Sequence, residues 1–281
     1  MLIQLPATAS RRGEPYMKIR VAVLALLVSV LPCVRGAAGD DTVGNPSAAA
    51  AQKVRVLVVT GGHGYDEEPF EGLFRSMPSV EATFKPVNRA FRDPDKWQWD
   101  VMVLYHMPPT ISEQDQAALL SLLDRGVGVV GLHHAIAAWN KWPEYWKIIG
   151  ARYFLEDAEE DGKSWPRSTY QHDADITYRP VKPEHPVTAG LDAFILHDET
   201  YKGYRMEPDV EVILEAEHEA AQREAGWVHQ YRKSRVCYIQ PGHGPTCFGD
   251  TNYRKLVEQA ILWAAGRTGS NPKEEARTGE K

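Results

Sequence analysis

Residues 128–135 read GVVGLHHA, a run of small and β-branched residues that ends in two adjacent histidines. Residues 54–59 (VRVLVV) and 99–105 (WDVMVLY) share this apolar character and show little alternation between polar and apolar side chains. Strands that helices cover on both faces have this composition. The three segments therefore predict a buried, mostly parallel sheet.

Helical patterns separate these strands. After the first strand, four apolar residues recur at spacings of three and four, as on the buried face of a helix: Phe70, Leu73, Phe74 and Met77. Ser112 and Gly126 mark the start and end of a second helix, and a last helix is predicted over residues 252–265. Strand and helix alternate, which predicts an α/β fold with a doubly wound sheet.

The second half of the chain predicts shorter strands at residues 175–178, 210–215, 226–231 and 235–240. Residues 138–175 are rich in Trp and Tyr and show no clear period. A segment of this length is too long for a plain connection and is typical of a functional covering loop.

The chain has 281 residues and a formal net charge of −6. Residues 1–38 hold five basic residues and one acidic residue, so the remainder is more acidic than the whole. An acidic surface repels nucleic acid and anionic lipid, and no basic stripe with interleaved aromatic residues is present. Nucleic acid is therefore not expected as a partner.

The N-terminal region has the pattern of a secretory signal. A basic start at Met17 precedes an apolar run at residues 21–31 and small residues at 36–38. The apolar run is shorter than the ~20 residues of a transmembrane helix. We expect residues 1–38 to be an N-terminal extension and signal peptide that starts at Met17, and the protein to be periplasmic or extracellular, without a transmembrane span or lipid anchor.

The remaining chain divides by composition. Residues 39–52 have the Gly, Pro, Ser and Ala content of a linker. Residues 53–268 are long enough to form one domain with its own core. Residues 269–281 are polar and predict a disordered tail.

Histidines follow three of the predicted strands. His63 follows the first strand, His133 and His134 follow the glycine-flanked strand, and His243 follows residues 235–240. An acidic cluster, HDETY at residues 197–201, follows the apolar residues 194–196. Ligands in open α/β sheets bind at the carboxyl ends of strands, so we expect these groups to meet in one cleft.

Five stretches, in their order and spacing, resemble the ThuA-like (trehalose utilisation) family: VLVVTGGHGYDEEPF (56–70), GVVGLHHAIAAW (128–139), HPVTAGLDAFILHDETY (185–201), RVCYIQPGHG (235–244) and AILWAAG (260–266). The resemblance extends over residues 54–266. It implies a flavodoxin-like α/β fold of the class I glutamine amidotransferase-like kind, with helices on both faces of a mostly parallel sheet. It also implies a role in disaccharide catabolism, notably of 3-keto sugars.

The comparison with class I glutamine amidotransferases concerns one turn. Those enzymes carry their nucleophile in a Gly-x-Cys-x-Gly turn, and this chain has Gly131-Leu132-His133-His134-Ala135 at the corresponding place. Because His133 replaces the cysteine, no thioester can form and glutaminase activity is not expected. His243 matches the place of the amidotransferase histidine.

Four residues are candidate catalytic groups: His63, His133, Glu199 and His243. Imidazole and carboxylate side chains transfer protons near neutral pH. They also bind zinc, manganese or iron, so the same four residues are candidate ligands of a divalent metal. Proton abstraction from a keto sugar requires a base beside the carbonyl and a group that stabilises the enediolate. A metal, or a histidine with a free backbone N–H at the turn, would supply the second.

Five further residues are candidate substrate-binding groups: Tyr65, His134, Trp139, Asp198 and Tyr201. Trp139 or Trp165 offers a flat face for a sugar ring. Adjacent residues on a regular strand point to opposite faces, so we expect one of His133 and His134 to be structural. For His106, which ends a predicted strand, a site role and a structural role are both kept as alternatives. Four other histidines are interpreted as surface or packing residues: His172, His185, His218 and His229.

Two functions fit these observations. The first is an exported enzyme that processes a disaccharide or 3-keto sugar, as a hydrolase, lyase or isomerase. The alternative is a non-catalytic sugar-binding module of the same fold that supports a partner sugar dehydrogenase. The enzyme is favoured because binding alone does not require three histidines at strand ends. A cysteine peptidase is disfavoured because Cys237 lies within a strand and Cys247 lies beyond the His243 turn.

Overall fold

The computed structural model describes residues 52–160 and 162–267. The predicted signal peptide, nearly all of the predicted linker and the predicted C-terminal tail lie outside these ranges. In chain order, the strands are β1 (Val54–Gly61), β2 (Val80–Pro86), β3 (Val101–His106), β4 (Gly128–Leu132), β5 (Ala151–Arg152), β6 (Ala158–Glu160), β7 (Lys163–Trp165), β8 (Thr169–Pro180), β9 (Phe194–Lys202), β10 (Arg205–Met206), β11 (Glu211–Glu217), β12 (Glu224–Tyr231) and β13 (Ser234–Ile239). The helices are α1 (Glu67–Arg75), α2 (Val87–Ala90), α3 (Glu113–Asp124), α4 (Pro143–Ile149), α5 (Pro245–Gly249) and α6 (Thr251–Ala264), with 3₁₀ turns at Pro94–Lys96 and His133–Ala137.

Nine strands form one sheet in the order β2-β1-β3-β4-β13-β12-β11-β8-β9. The first five of these are mutually parallel. From β13 onward each neighbour is antiparallel. The predicted α/β fold with a parallel core is confirmed, and the sheet as a whole is mixed. We call the first five strands the parallel half and the other four the antiparallel half.

Helices cover both faces of the parallel half, as predicted. Along β1, Val56 and Val58 pack into a cluster with α1 and α6. Leu57 and Val59 pack into a second cluster with α3 and α4 on the opposite face. All four side chains are fully buried. Burial on both faces explains why this strand reads as a continuous apolar run.

Local capping sets the ends of two helices. The Ser112 hydroxyl accepts a hydrogen bond from the backbone N–H of Asp115 at 3.1 Å and begins α3. The Asp250 carboxylate accepts from the backbone N–H groups of Asn252 and Tyr253, at 2.8 and 2.9 Å, and begins α6. The first cap is the one that the sequence predicted.

The structure differs from the sequence prediction in the middle of the chain. Residues 138–175 were predicted to be an irregular loop, which is wrong, because they contain α4, three short strands and the beginning of β8. Strand β6 pairs with β7, and β5 pairs with the later short strand β10, so these strands form two separate two-stranded sheets. The sequence analysis also did not identify β2, whose partly polar sequence VEATFKP forms one edge of the main sheet.

The acidic cluster at residues 197–201 follows the apolar residues 194–196, where no strand was predicted. Strand β9 continues from Phe194 to Lys202, so the cluster lies within it. Strand β8 is bulged where it pairs with this cluster: Gln171 faces Thr200 and Ala174 faces Asp198, so one extra residue lies on β8.

Two further observations concern the described residues as a whole. Cys237 and Cys247 are both buried and form no disulfide with each other. None of the described helices combines the length and apolar character that crossing a membrane requires.

Candidate functional site

Three side chains from distant parts of the chain converge at the carboxyl end of the parallel half. His133 Nε2 lies 3.2 Å from His243 Nδ1. His243 Nδ1 lies 3.0 Å from Glu199 Oε2. The three ligand-type atoms are all within 4.8 Å of one another. We call His133, Glu199 and His243 the central triad.

His133 occupies the turn that follows β4. The strand ends at Leu132, and His133 has a φ of +48°, a left-handed conformation that costs a non-glycine residue about 1–3 kcal/mol. His133 Nδ1 lies 2.8 Å from the carbonyl oxygen of Gln240, and the His133 carbonyl accepts from the Tyr238 hydroxyl at 2.7 Å. Because a carbonyl oxygen only accepts, Nδ1 carries the hydrogen and the Nε2 lone pair faces the triad.

Tyr201 contacts His133 through both its hydroxyl group and its ring. Its hydroxyl lies 2.7 Å from His133 Nε2, and the two rings stack with centroids 4.8 Å apart. The Tyr201 side chain is buried. The sequence analysis assigned Tyr201 to substrate binding, and the structure gives it a direct contact with the triad.

We call the central triad together with His63 and His134 the histidine cluster. Both adjacent histidines, His133 and His134, lie in this cluster, contrary to the expectation that one would point away. The His134 ring stacks on His63 at 4.6 Å, and His63 lies 6.3 Å from the His243 ring. The strand rule does not apply because the chain leaves β4 at Leu132 and forms a 3₁₀ turn. His134 is buried, and neither of its ring nitrogens has a hydrogen-bond partner among the described residues.

Asp198 positions the turn that carries His243. Its two carboxylate oxygens accept from the backbone N–H groups of Gly242 and His243, at 2.7 and 2.9 Å. Gly242 has a φ of +124°, and a Cβ there would lie 2.1 Å from the Tyr253 hydroxyl, so only glycine fits. Asp198 was predicted to bind substrate; with both oxygens engaged by the backbone, it is a positioning residue.

His172 is a site residue that the sequence analysis assigned to the surface. Its Nδ1 lies 2.9 Å from Glu199 Oε2, and its ring is 5.0 Å from the His243 ring. The residue sits in the bulge of β8, next to Asp173, which has a φ of +54°. Bulges turn side chains out of the regular strand alternation, and no sequence signal in this chain marks the bulge.

Two other residues were predicted to bind substrate, Trp139 and Tyr65. The Trp139 side chain is 1% exposed and packs on His106, with ring centroids 4.3 Å apart. It has no free face for a sugar ring, so the predicted stacking role is wrong. Tyr65 is half-buried and packs edge-on against Phe70 and Tyr105, at the border of the cluster.

The surroundings shift the pKa values of the three triad residues in different directions. Hydrogen bonding to Glu199 raises the pKa of His243. Burial raises the pKa of Glu199, but the hydrogen bond from His243 and the nearby His133, His243 and His172 outweigh burial, so this pKa is lowered overall. Burial lowers the pKa of His133. Glu199 and His243 therefore form an ion pair at mildly acidic pH, beside a neutral His133.

The family model described as ThuA, trehalose utilisation, matches residues 55–264. The chain belongs to the ThuA family. No curated protein matches the chain in sequence.

Two solved structures described as ThuA-like proteins share this fold. One, from Parabacteroides merdae ATCC 43184, is 19% identical, with a TM-score of 0.64 over 78% of this chain and 93% of that chain. The other, from Bacteroides uniformis ATCC 8492, is 19% identical, with a TM-score of 0.60 over 81% and 98%. PurLQS from Thermotoga maritima is 13% identical, with a TM-score of 0.51 over 75% and 99%. At these identities the similarity shows the fold, which is that of class I glutamine amidotransferase-like proteins.

Among the described residues, no thiol lies within the histidine cluster. Cys237 lies within β13 and Cys247 within α5. Burial raises the pKa of both thiols. Buried thiols of raised pKa are poor nucleophiles. The residue at the turn after β4 is His133, so the chemistry of this site depends on imidazole and carboxylate groups.

The central triad fits the donor set of a divalent metal. Two imidazole nitrogens and one carboxylate oxygen suit zinc, manganese or iron. His133 directs its other nitrogen to the Gln240 carbonyl, as metal-binding histidines commonly do. A metal held by His133, Glu199 and His243 would supply a Lewis acid for a substrate carbonyl. His63 lies outside this group of three.

Proposed function

We propose that this ThuA-family protein is an enzyme of carbohydrate catabolism that acts on a disaccharide or its 3-keto derivative at the central triad. The convergence of His133 Nε2, His243 Nδ1 and Glu199 Oε2 supports the proposal. These three residues come from two turns and one strand, and a purely structural core does not require imidazoles and a carboxylate to meet. The family description supports a sugar substrate.

His243 is the member of the triad that reaches substrate. Its side chain is 36% exposed, whereas that of Glu199 is 8% exposed and His133 is fully buried. Nδ1 faces Glu199, so a neutral His243 keeps its hydrogen there and presents the Nε2 lone pair to the cleft. Glu199 thereby fixes the tautomer, as a carboxylate does for the histidine of a catalytic triad.

The reaction step assigned to these residues is a proton transfer beside a carbonyl. His243 Nε2 accepts the proton from the carbon next to the keto group, and the C–H electron pair forms the C=C bond of the enediolate. The carbonyl electron pair moves to the oxygen, which accepts a hydrogen bond from a neighbouring N–H donor. His134 and His63 supply imidazoles on the same side of the cluster.

The test is turnover of a defined substrate. The purified protein is incubated with 3-keto-trehalose and the products are identified by mass spectrometry and NMR. We expect conversion by the wild-type protein and its loss in His243→Ala. Binding of the keto sugar without conversion would contradict the enzyme and favour the sugar-binding module. Conversion at an unchanged rate in His243→Ala would contradict the site.

Metal involvement is tested separately. The metal content of the purified protein is measured, and thermal unfolding is followed with added zinc, manganese or iron(II). A ligand that binds only the folded state raises the unfolding temperature by mass action. We expect stabilisation in the wild-type protein and less stabilisation in Glu199→Gln. Equal behaviour of the two proteins would show that the triad does not hold the ion.

We also propose that the protein is exported, because residues 17–38 have the composition of a signal peptide. N-terminal sequencing of the protein from separated cell fractions tests this proposal. A mature N-terminus near residue 39 in the periplasmic or extracellular fraction is expected. A chain that retains residues 17–38 in the cytoplasmic fraction would contradict it.

A further inference from the structure

Tyr170, near the start of β8, is an exposed aromatic residue beside the central triad. Among the described residues, four large apolar side chains are exposed, and Tyr170, at 57%, is the aromatic one. The other three are aliphatic: Leu155, Val181 and Ile195. Single exposed apolar residues are ordinary on protein surfaces, so exposure alone assigns no role. The contacts of Tyr170 with residues of the site distinguish it from the other three.

Strand pairing places Tyr170 beside the site residues of β9. Tyr170 lies directly opposite Tyr201 in the register of the two strands. Opposite residues of an antiparallel pair project from the same face of the sheet, with Cβ atoms roughly 4.5–5.5 Å apart. Tyr170 is therefore the cross-strand neighbour of the residue whose hydroxyl contacts His133.

Ring contacts connect Tyr170 with the triad along a second route. The Tyr170 and His172 rings meet edge to face, with centroids 5.3 Å apart, and the His172 ring lies 5.0 Å from the His243 ring. The His172 side chain is 51% exposed, and the His243 side chain is also partly exposed. Three rings in successive contact, each partly open to solvent, therefore lead from Tyr170 to the triad residue that reaches substrate.

An exposed aromatic ring of this kind suits the apolar face of a sugar. A hexopyranose carries C–H groups on the faces of its ring and hydroxyl groups around its edge, so it can stack on a flat aromatic side chain. An edge-to-face contact with His172 leaves at least one face of the Tyr170 ring free of the imidazole. Tyr170 thus has the accessible ring that the buried Trp139 lacks.

We propose that Tyr170 is the stacking platform for one hexose unit of a disaccharide, next to the unit that reacts at the central triad. This inference rests on the proposed function, because it takes the triad as the place of reaction. The Tyr170 ring packs against the C–H face of that hexose. His172 holds Glu199 through Nδ1, so its Nε2 is left for a sugar hydroxyl between the two places.

The test measures binding of unreacted disaccharides, so it does not depend on turnover. Trehalose, maltose, sucrose and cellobiose are titrated into the purified protein by isothermal titration calorimetry. Tyr170→Ala removes the ring, whereas Tyr170→Phe keeps the ring and removes only the hydroxyl group. Thermal unfolding confirms that each variant is folded.

Ile195→Ala is the matched control. Ile195 is an exposed apolar residue of the same pair of strands, with a similar exposed fraction. It lies opposite Thr177, roughly 20 Å along the strands from Tyr170. Its truncation therefore removes apolar surface from β9 without changing the surroundings of the triad.

We expect at least one disaccharide to bind, with an affinity reduced about threefold to tenfold in Tyr170→Ala, the range of a single aromatic contact. Tyr170→Phe and Ile195→Ala should bind as tightly as the wild type. Stacking should also shift the NMR signals of the sugar C–H protons upfield, and this shift should persist in Tyr170→Phe and be smaller in Tyr170→Ala. With a turned-over substrate, Tyr170→Ala should raise KM and leave kcat unchanged.

Four results would overturn the stacking platform: no binding of any of the four disaccharides, equal affinity of Tyr170→Ala and wild type, an equal loss in Tyr170→Phe, or an equal loss in Ile195→Ala. The proposed function fails on a different measurement, the absence of keto-sugar conversion. Disaccharide binding that depends on the Tyr170 ring, without any conversion, would support the stacking platform while contradicting the reaction.

Discussion

The two halves of the sheet contribute to the site in different ways. The parallel half contributes residues on turns that follow its strands, namely His63, His133 and His243. The antiparallel half contributes residues within its strands, Glu199 on β9 and His172 on the bulge of β8. A turn after a buried strand is a recognised place for ligand binding, whereas a strand residue reaches a site only through the register of its sheet.

The first prediction tests whether both halves are needed for the reaction. His243→Ala, from the parallel half, and Glu199→Gln, from the antiparallel half, should each lower kcat/KM by about 100-fold or more, the range of acid–base catalysis. The double variant should be little worse than either single one, because the two residues act as a unit. Steady-state assays on the keto sugar measure this.

His197→Ala is the matched control for that comparison, because His197 lies on the same strand but is exposed and pairs with Asp175. It should keep full activity. A loss confined to His243→Ala would show that the antiparallel half only supports the fold.

The second prediction concerns the contact that joins the halves. Asp198→Asn should lower the free energy of unfolding by about 1.5–3 kcal/mol, because it replaces a charged acceptor of two backbone N–H groups. Urea unfolding measures this change. Asp175→Asn, an exposed carboxylate on β8, should change stability by less than about 0.5 kcal/mol. Similar values for both variants would contradict a special role of Asp198.

The third prediction concerns the residue that only the bulge brings to the site. His172→Ala should lower kcat/KM about twofold to fivefold, because the contact of His172 with Glu199 is half-exposed and weakened by solvent. His218→Ala should have no effect on kcat/KM, since the His218 ring accepts a hydrogen bond from the backbone N–H of Ala220 in its own loop. An unchanged kcat/KM in His172→Ala would show that His172 has no role in the reaction and is a surface residue, as predicted from the sequence.

The fourth prediction has the smallest expected effect. It concerns the pKa values of His243 and Glu199, which pair across the boundary between the two halves of the sheet. In the metal-free protein, NMR titration should show that the pKa of His243 is raised above its ordinary value, and Glu199→Gln should lower this pKa. Stability from the pair is then present below about pH 6.5 and lost as the pH rises through the folded-state pKa of His243. The hydrogen bond from His243 and the nearby imidazoles lower the pKa of Glu199 despite its burial, so its contribution is lost as the pH falls through that lowered pKa. A His243 pKa that is unchanged in Glu199→Gln would contradict the pairing.

The same contrast explains what the sequence could predict. The parallel strands are buried on both faces, so their apolar runs and the following histidines stand out. Strand β2 forms an edge of the sheet and carries polar residues, which removes that signal. Glu199 was identified through its acidic neighbours and the family resemblance, although the strand that carries it, β9, was not predicted.

Residues that depend on backbone irregularity were harder to predict. His172 reaches Glu199 because one extra residue in β8 changes its direction, and nothing in the residues around it indicates the insertion. His133 and His134 both enter the cluster because residue 133 adopts a left-handed backbone. Trp139 was predicted to offer a flat face to a sugar ring, but its position against His106 depends on packing between distant segments.

Among the described strands, β9 pairs with β8 alone, at the edge of the sheet, although it carries Asp198, Glu199 and Tyr201. Border strands of this kind open more readily than central ones, and amide hydrogens there exchange with solvent by partial unfolding. We therefore expect the proposed site to open more readily than the interior strands of the parallel half. Under heat or denaturant, activity should disappear while the interior strands β1, β3 and β4 still protect their amides.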